Sequence, residues 1–90
     1  MNIPALAVEF FGTFIFLYVI VATGNPWAIG GTLALLAYLG GAISGGHFNP
    51  AVTVMMFYNK AVNSSTALTY IAVQVIAGLL ALAVYKKLKV

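Results

Sequence analysis

A glycine-rich stretch that also contains proline, GGAISGGHFNPAVTV at residues 40–54, interrupts an otherwise apolar chain. Because proline lacks a backbone N–H and glycine favours irregular backbone, this stretch cannot continue as an ordinary helix that faces lipid. Asn49 is a favourable N-cap and Pro50 suits a first helical position, so a short helix is predicted to begin here. The following apolar residues end at Tyr58. A helix of about ten residues rises about 15 Å, half of a hydrocarbon core of roughly 30 Å.

The rest of the chain is apolar enough to cross a membrane. Of its 90 residues, 63% are hydrophobic and 6% are charged, a composition that a small soluble domain cannot bury. A spanning helix needs about 20 mostly apolar residues, and the segments that approach this length are residues 4–22, 28–44 and 64–85. Ser64 or Ser65 is the expected N-cap of the last segment. The sequence therefore predicts an all-α, multi-pass integral membrane protein, without specifying the membrane.

Residues 45–58 are predicted to form a re-entrant loop, in which irregular chain enters the membrane and a half-helix leads out again. Irregular backbone at membrane depth is tolerated only where protein buries it or where it lines a wet cavity. The positive dipole end of the half-helix would point into that cavity and repel cations. A neutral solute that forms hydrogen bonds would then pass an amide donor on Asn49. It would also pass a row of backbone carbonyls, those of Gly45, Gly46, His47 and Phe48.

The ionisable residues argue against several other functions. The sequence contains one acidic residue, one histidine and no cysteine. These are too few for the usual acid–base or nucleophilic constellations of an enzyme, or for a metal site. We therefore expect no catalytic activity, no metal and no cofactor. The net charge of +3 arises mostly from lysines near the C-terminal end. This distribution indicates contact with membrane lipid rather than with nucleic acid.

Parts of the sequence resemble the major intrinsic protein family, which comprises the aquaporins and glycerol facilitators. AVEFFGTFIFLY at residues 7–18 resembles the first helix of the family, and YIAVQVIAG at residues 70–78 resembles the third. SGGHFNPAVT at residues 44–53 is similar to its first signature loop, which carries Asn-Pro-Ala, here Asn49, Pro50 and Ala51. The resemblance implies that residues 1–90 form a single half repeat with three transmembrane helices and one re-entrant half-helix.

The resemblance also implies roles for individual residues. The Asn-Pro-Ala loop is expected to line a pore. Glu9 and Gln74, both within spanning segments, are expected to support the loop, with Glu9 accepting hydrogen bonds from the loop backbone or from His47. The His47 ring is expected to brace the loop, and a pH-gating role for it stays open. Ile29 and Val52 fall at filter positions, where other members of the family carry an aromatic residue and an arginine.

Members of the family contain two such repeats in inverted orientations, and this chain resembles one, the N-terminal repeat. A single repeat would leave its polar edge facing lipid. We therefore expect a passive channel for water or small uncharged solutes such as glycerol, completed by a second copy in the opposite orientation. Asn49 of one copy would then meet Asn49 of the other.

Charge and size leave alternatives open. Lys60 lies on the N-terminal side of the membrane and the lysines of residues 86–89 lie on the other, a mixed bias that is compatible with dual topology. A different chain that carries the arginine-bearing loop is an alternative partner. A holin-like protein that forms large unselective pores and a decayed fragment without function are further alternatives. Assembly of completed pores into higher oligomers also stays open.

Overall fold

Four helices make up the fold of residues 2–89, which the computed structural model describes. Three are long, α1 (Ile3–Thr23), α2 (Pro26–Ser44) and α4 (Ser64–Leu88), and α3 (Pro50–Tyr58) is short. The long helices have 21, 19 and 25 residues and are apolar enough to cross a membrane. The predicted class, an all-α membrane protein with three spanning helices and one half-helix, is confirmed.

Asparagine side chains set where the helices begin. Each helix has an asparagine at its N-cap, in chain order Asn2, Asn25, Asn49 and Asn63. Their side-chain oxygens accept hydrogen bonds from free N–H groups of the first turn. The prediction of a Ser64 or Ser65 cap is wrong, because both serines lie inside α4 and Asn63 accepts from the N–H of Thr66 at 2.8 Å. For the same reason α2 begins at Pro26, directly after its cap, rather than near residue 28.

The helix α1 is the centre of the packing. It lies against α2 and α4, while α3 packs on α4. Within residues 2–89, α2 packs along α1 and touches α4 through its last residue, Ser44, so much of its surface is open. The molecule is 43 Å long, which matches the thickness of a bilayer with its headgroup regions, about 40–45 Å.

At Gly12, α1 packs closely against the chain that follows α2. The Phe48 ring is buried against this glycine and reaches Gly40 of α2. A Cβ on Gly12 would overlap the Phe48 ring, so glycine is required here for space. Phe48 has a φ of 54°, a left-handed conformation that bulky residues rarely adopt. The packing of its ring on Gly12 therefore helps to hold a strained residue in place.

Gly12→Ala is expected to lower the free energy of unfolding by about 1–3 kcal/mol, the usual cost of extra volume in a well-packed site. The matched control is Gly30→Ala, at another helical glycine where a new methyl group meets no atom within 4 Å. In a detergent that keeps the chain monomeric, its stability should be unchanged or slightly higher, because alanine favours helix. Thermal unfolding in one detergent, followed by circular dichroism, compares the variants. Equal stability of both variants would contradict the Phe48 packing.

Candidate functional site

A buried carboxylate, that of Glu9 in α1, binds the irregular segment between α2 and α3. This segment, residues 45–49, is called the re-entrant loop below. Glu9 Oε2 accepts from the backbone N–H of His47 at 3.0 Å, and Oε1 accepts from the N–H of Phe48 at 2.8 Å. Oε2 also accepts from the Ser44 hydroxyl at 2.7 Å. The carboxylate therefore satisfies two consecutive backbone donors that have no helix to bond to.

Gln74 of α4 links this carboxylate to the half-helix. Its Nε2 donates to Glu9 Oε1 and to Thr53 Oγ1, each at 2.9 Å. The Thr53 hydroxyl lies 2.8 Å from Nδ1 of His47. The Thr53 oxygen already accepts from Gln74 Nε2, and its remaining hydrogen-bonding capacity is used on the His47 ring. Gln74 thus supports the re-entrant loop through Glu9 and Thr53, and not by bonding to the loop backbone.

Two hydroxyl groups complete the C-terminal end of α2. Ser44 Oγ accepts from the N–H of Gly46 at 3.1 Å, and the Tyr70 hydroxyl donates to the Ser44 carbonyl at 2.7 Å. The Tyr70 ring also packs edge-on against the His47 ring, with centroids 5.1 Å apart. Roles for Ser44, Thr53 and the Tyr70 hydroxyl were not predicted from the sequence. One sequence feature could have indicated roles for Ser44 and Thr53, since they are the first and last residues of the signature SGGHFNPAVT.

Other polar groups of the re-entrant loop lack partners. Within residues 2–89, no donor bonds to the carbonyl oxygens of residues 45–48. Asn49 is exposed, and its Oδ1 accepts from the N–H of Ala51 at 2.8 Å, which leaves its amide hydrogens available. Gly45 and Gly46 have φ values of 92° and 66°, which glycine adopts without strain. The re-entrant loop therefore offers free acceptors beside a free amide donor.

The remaining predicted site residues lie outside the Glu9 network. Pro50 is the first residue of α3 and Ala51 is exposed beside it. Val52 lies in the same turn, and Ile29 lies in the first turn of α2; both are half-buried. The structure thus groups Glu9, His47 and Gln74 around the re-entrant loop and leaves Ile29 and Val52 on partly open surface.

The part of the chain that forms this site matches a known protein family. A family model described as major intrinsic protein matches residues 24–90, which include the re-entrant loop and the half-helix. The chain belongs to the major intrinsic protein family. Members of this family are channels, not enzymes. With three helices apolar enough to span a bilayer, this major intrinsic protein is an integral, multi-pass membrane protein.

Curated relatives in this family match most of the chain. The "Glycerol uptake facilitator protein-like 6" of Lactiplantibacillus plantarum is 41% identical over 87 residues, which cover 87% of this chain and 40% of the relative. "Aquaporin PIP2-7" of Musa acuminata is 35% identical over 101 residues, with 91% and 36% covered. "Aquaporin PIP2-7" of Arabidopsis thaliana is 38% identical over 92 residues, with 83% and 33% covered. The match thus spans at most 40% of the length of these relatives. No solved structure matches the chain.

Glu9→Gln is expected to lower the free energy of unfolding by about 2 kcal/mol or more, since each unsatisfied buried donor costs about 1–3 kcal/mol. Each carboxylate oxygen accepts two hydrogen bonds. In glutamine, an NH₂ group replaces one of these oxygens, so two donors would face another donor whichever oxygen is replaced. Thr32→Val is the control, because it removes a half-buried hydroxyl that bonds only within α2. Unfolding in mixed micelles measures both variants. Wild-type stability of Glu9→Gln would contradict the role assigned to the carboxylate.

Proposed function

We propose that this chain is half of a passive channel for water and small uncharged solutes such as glycerol, and that a second copy in the opposite orientation completes the pore. The proposal rests on which polar groups of the re-entrant loop are bonded within the chain and which are free. Its N–H groups at His47 and Phe48 bond to Glu9, whereas the carbonyls of residues 45–48 and the amide hydrogens of Asn49 have no partner in the described chain. In a membrane such groups need water, solute or protein. A neutral solute with donors and acceptors fits this set.

The half-helix favours neutral solutes over cations. The helix α3 begins at Pro50 with Asn49 as its cap, so the positive end of its dipole lies at the re-entrant loop. Its 9 residues rise about 14 Å, which places this end near the middle of a core of roughly 30 Å when the other end lies at the surface. The one acidic side chain, Glu9, is buried, and both its oxygens are bonded to groups of the chain, so it offers no free ligand to an entering cation.

The open surfaces support completion by a second copy. Apart from the contact of its last residue, Ser44, with α4, the helix α2 packs on α1 among the described helices. Three of its glycines have no other atom within 4 Å of an added Cβ, the exposed Gly30 and Gly31 and the half-buried Gly41. Small residues let helices approach closely in lipid. An inverted copy would pair α2 with α2 and place the two half-helices end to end, so one symmetric contact would cover both open edges.

The filter positions bear on the solute class. Family resemblance implies an aromatic residue at the position of Ile29 and an arginine at that of Val52, and the sequence contains no arginine. In the proposed dimer both copies contribute aliphatic side chains at these positions. A pore that is wider and more apolar there should admit glycerol as well as water.

A separate partner chain with the arginine-bearing loop is the second candidate for completing the pore. The observation in its favour is that the match covers at most 40% of each curated relative described above. It keeps the same half-pore and changes only the identity of the second half. The holin-like alternative gives no role to the bonded re-entrant loop, so we do not adopt it.

Asn49→Asp should change the selectivity of proteoliposomes that contain the protein. Aspartate can still cap α3, but it replaces the amide donors of Asn49 with a negative charge. We expect proton and cation leakage to rise several-fold and water and glycerol permeability to fall several-fold. Stopped-flow light scattering and a pH-sensitive dye measure these fluxes.

The matched control for this experiment is Asn59→Asp, which makes the same exchange at the exposed, opposite end of α3. Its fluxes should equal those of the wild type. Unchanged water, glycerol and proton fluxes in Asn49→Asp would overturn a pore at Asn49.

A further inference from the structure

An apolar groove and a lysine cluster lie together at the C-terminal end of α4. The groove has a volume of about 250 Å³, lies open between α1 and α4, and has apolar and aromatic walls: Phe14, Ile15, Tyr18, Val19, Val84 and Leu88. Exposed lysines lie at the same end of α4, namely Lys86, Lys87 and Lys89. This end of the molecule therefore combines an apolar groove with positive charge.

These lysines have no acidic side chain of the chain to pair with. The sequence contains one acidic residue, Glu9, which is buried and bonded to the re-entrant loop. Its partner in α4, Gln74, precedes Lys86 by about 18 Å along the helix axis. Lysines in a last turn also stabilise the negative end of a helix dipole, which explains charge at this end but not its position relative to the groove.

Helix geometry and one observed contact place two of the lysines near the groove. With about 100° between successive residues, Lys87 lies about 80° from the face of Val84 and Leu88, whereas Lys86 lies on the opposite face. Lys89 follows the last residue of α4, and its contact with Tyr85 sets its position. Lys89 Nζ lies 5.8 Å from the centre of the Tyr85 ring. That ring packs edge-on against Tyr18 of the groove wall, with centroids 6.2 Å apart. The Lys89 charge therefore contacts the groove wall indirectly, through the Tyr85 ring.

We propose that the groove binds an acyl chain of an anionic phospholipid and that Lys87 and Lys89 hold its phosphate. The depth fits, because the 25 residues of α4 extend about 38 Å, beyond a hydrocarbon core of roughly 30 Å, so its last turn lies among headgroups. Tyr18 and Tyr85 lie at the level where aromatic residues collect in membranes. A zwitterionic lipid offers the same acyl chain without net negative charge, so the lysines select the anionic headgroup.

Native mass spectrometry of the full chain, equilibrated with equal amounts of phosphatidylglycerol and phosphatidylcholine, tests the charge requirement. Each lysine near an anionic lipid contributes about fivefold in affinity, so the wild type should prefer phosphatidylglycerol roughly thirtyfold. The double variant Lys87→Gln/Lys89→Gln should lose this preference. The charge-matched control Lys60→Gln/Lys86→Gln removes two lysines that lie away from the groove, and it should keep the preference.

A second pair of variants tests the groove. Val84→Trp fills the groove without removing a lysine and should reduce phosphatidylglycerol retention, whereas Leu79→Trp, at an exposed position on the opposite face of α4, should not. Circular dichroism checks that both variants are folded.

Three outcomes would overturn the proposal: equal retention of the two lipids, equal losses in the two charge-matched variants, or displacement of the lipid by inorganic phosphate. Loss of a dimer with unchanged lipid in Val84→Trp would also overturn it, since a second copy would then occupy the groove.

Discussion

The hydrogen bonds to the Glu9 carboxylate determine the shape of the centre of this molecule. Glu9 accepts hydrogen bonds from two backbone N–H groups of the re-entrant loop, from a hydroxyl at the end of α2 and from a side-chain amide of α4. A carboxylate buried in a low-dielectric interior is costly unless donors surround it, and unpaired N–H groups at that depth are costly as well. The loop N–H groups supply the donors that the carboxylate needs, and the carboxylate supplies the acceptors that these N–H groups need. The loop can therefore leave helical geometry inside the membrane because α1 supplies the acceptors that a helix would have supplied.

The same bonds produce the polarity on which the proposed function depends. Because the N–H groups of His47 and Phe48 are used on Glu9, the loop presents carbonyl acceptors and the Asn49 amide as its free groups. The half-helix dipole adds positive potential at that place. Acceptors, one donor and a positive potential together suit a neutral molecule such as water or glycerol. They also leave a polar edge that lipid cannot satisfy, and this edge is the physical reason for a second half.

Local patterns predicted the helices, whereas contacts between distant residues explain what was missed. Long apolar runs and the Asn49–Pro50 pair indicated three spans and a half-helix, since length and capping are local properties. The cap of α4 was misassigned because asparagine and two serines, all good N-caps, are adjacent in the sequence. The Tyr70–Ser44 bond and the Gly12–Phe48 packing join segments far apart in sequence, and no local spacing encodes them. The roles of Asn49, Ile29 and Val52 in a pore stay predictions.

Topology mapping tests the inverted second copy most directly. The chain has no native cysteine, so Ala61→Cys, in the exposed turn after α3, introduces a single labelling site. A membrane-impermeant maleimide is applied to intact cells and to inside-out vesicles, and labelling after solubilisation gives the total. The account predicts that about half of the chains react from each side, as a symmetric antiparallel dimer requires. Labelling from one side only would contradict the inverted copy and indicate that a different chain supplies the second half of the pore.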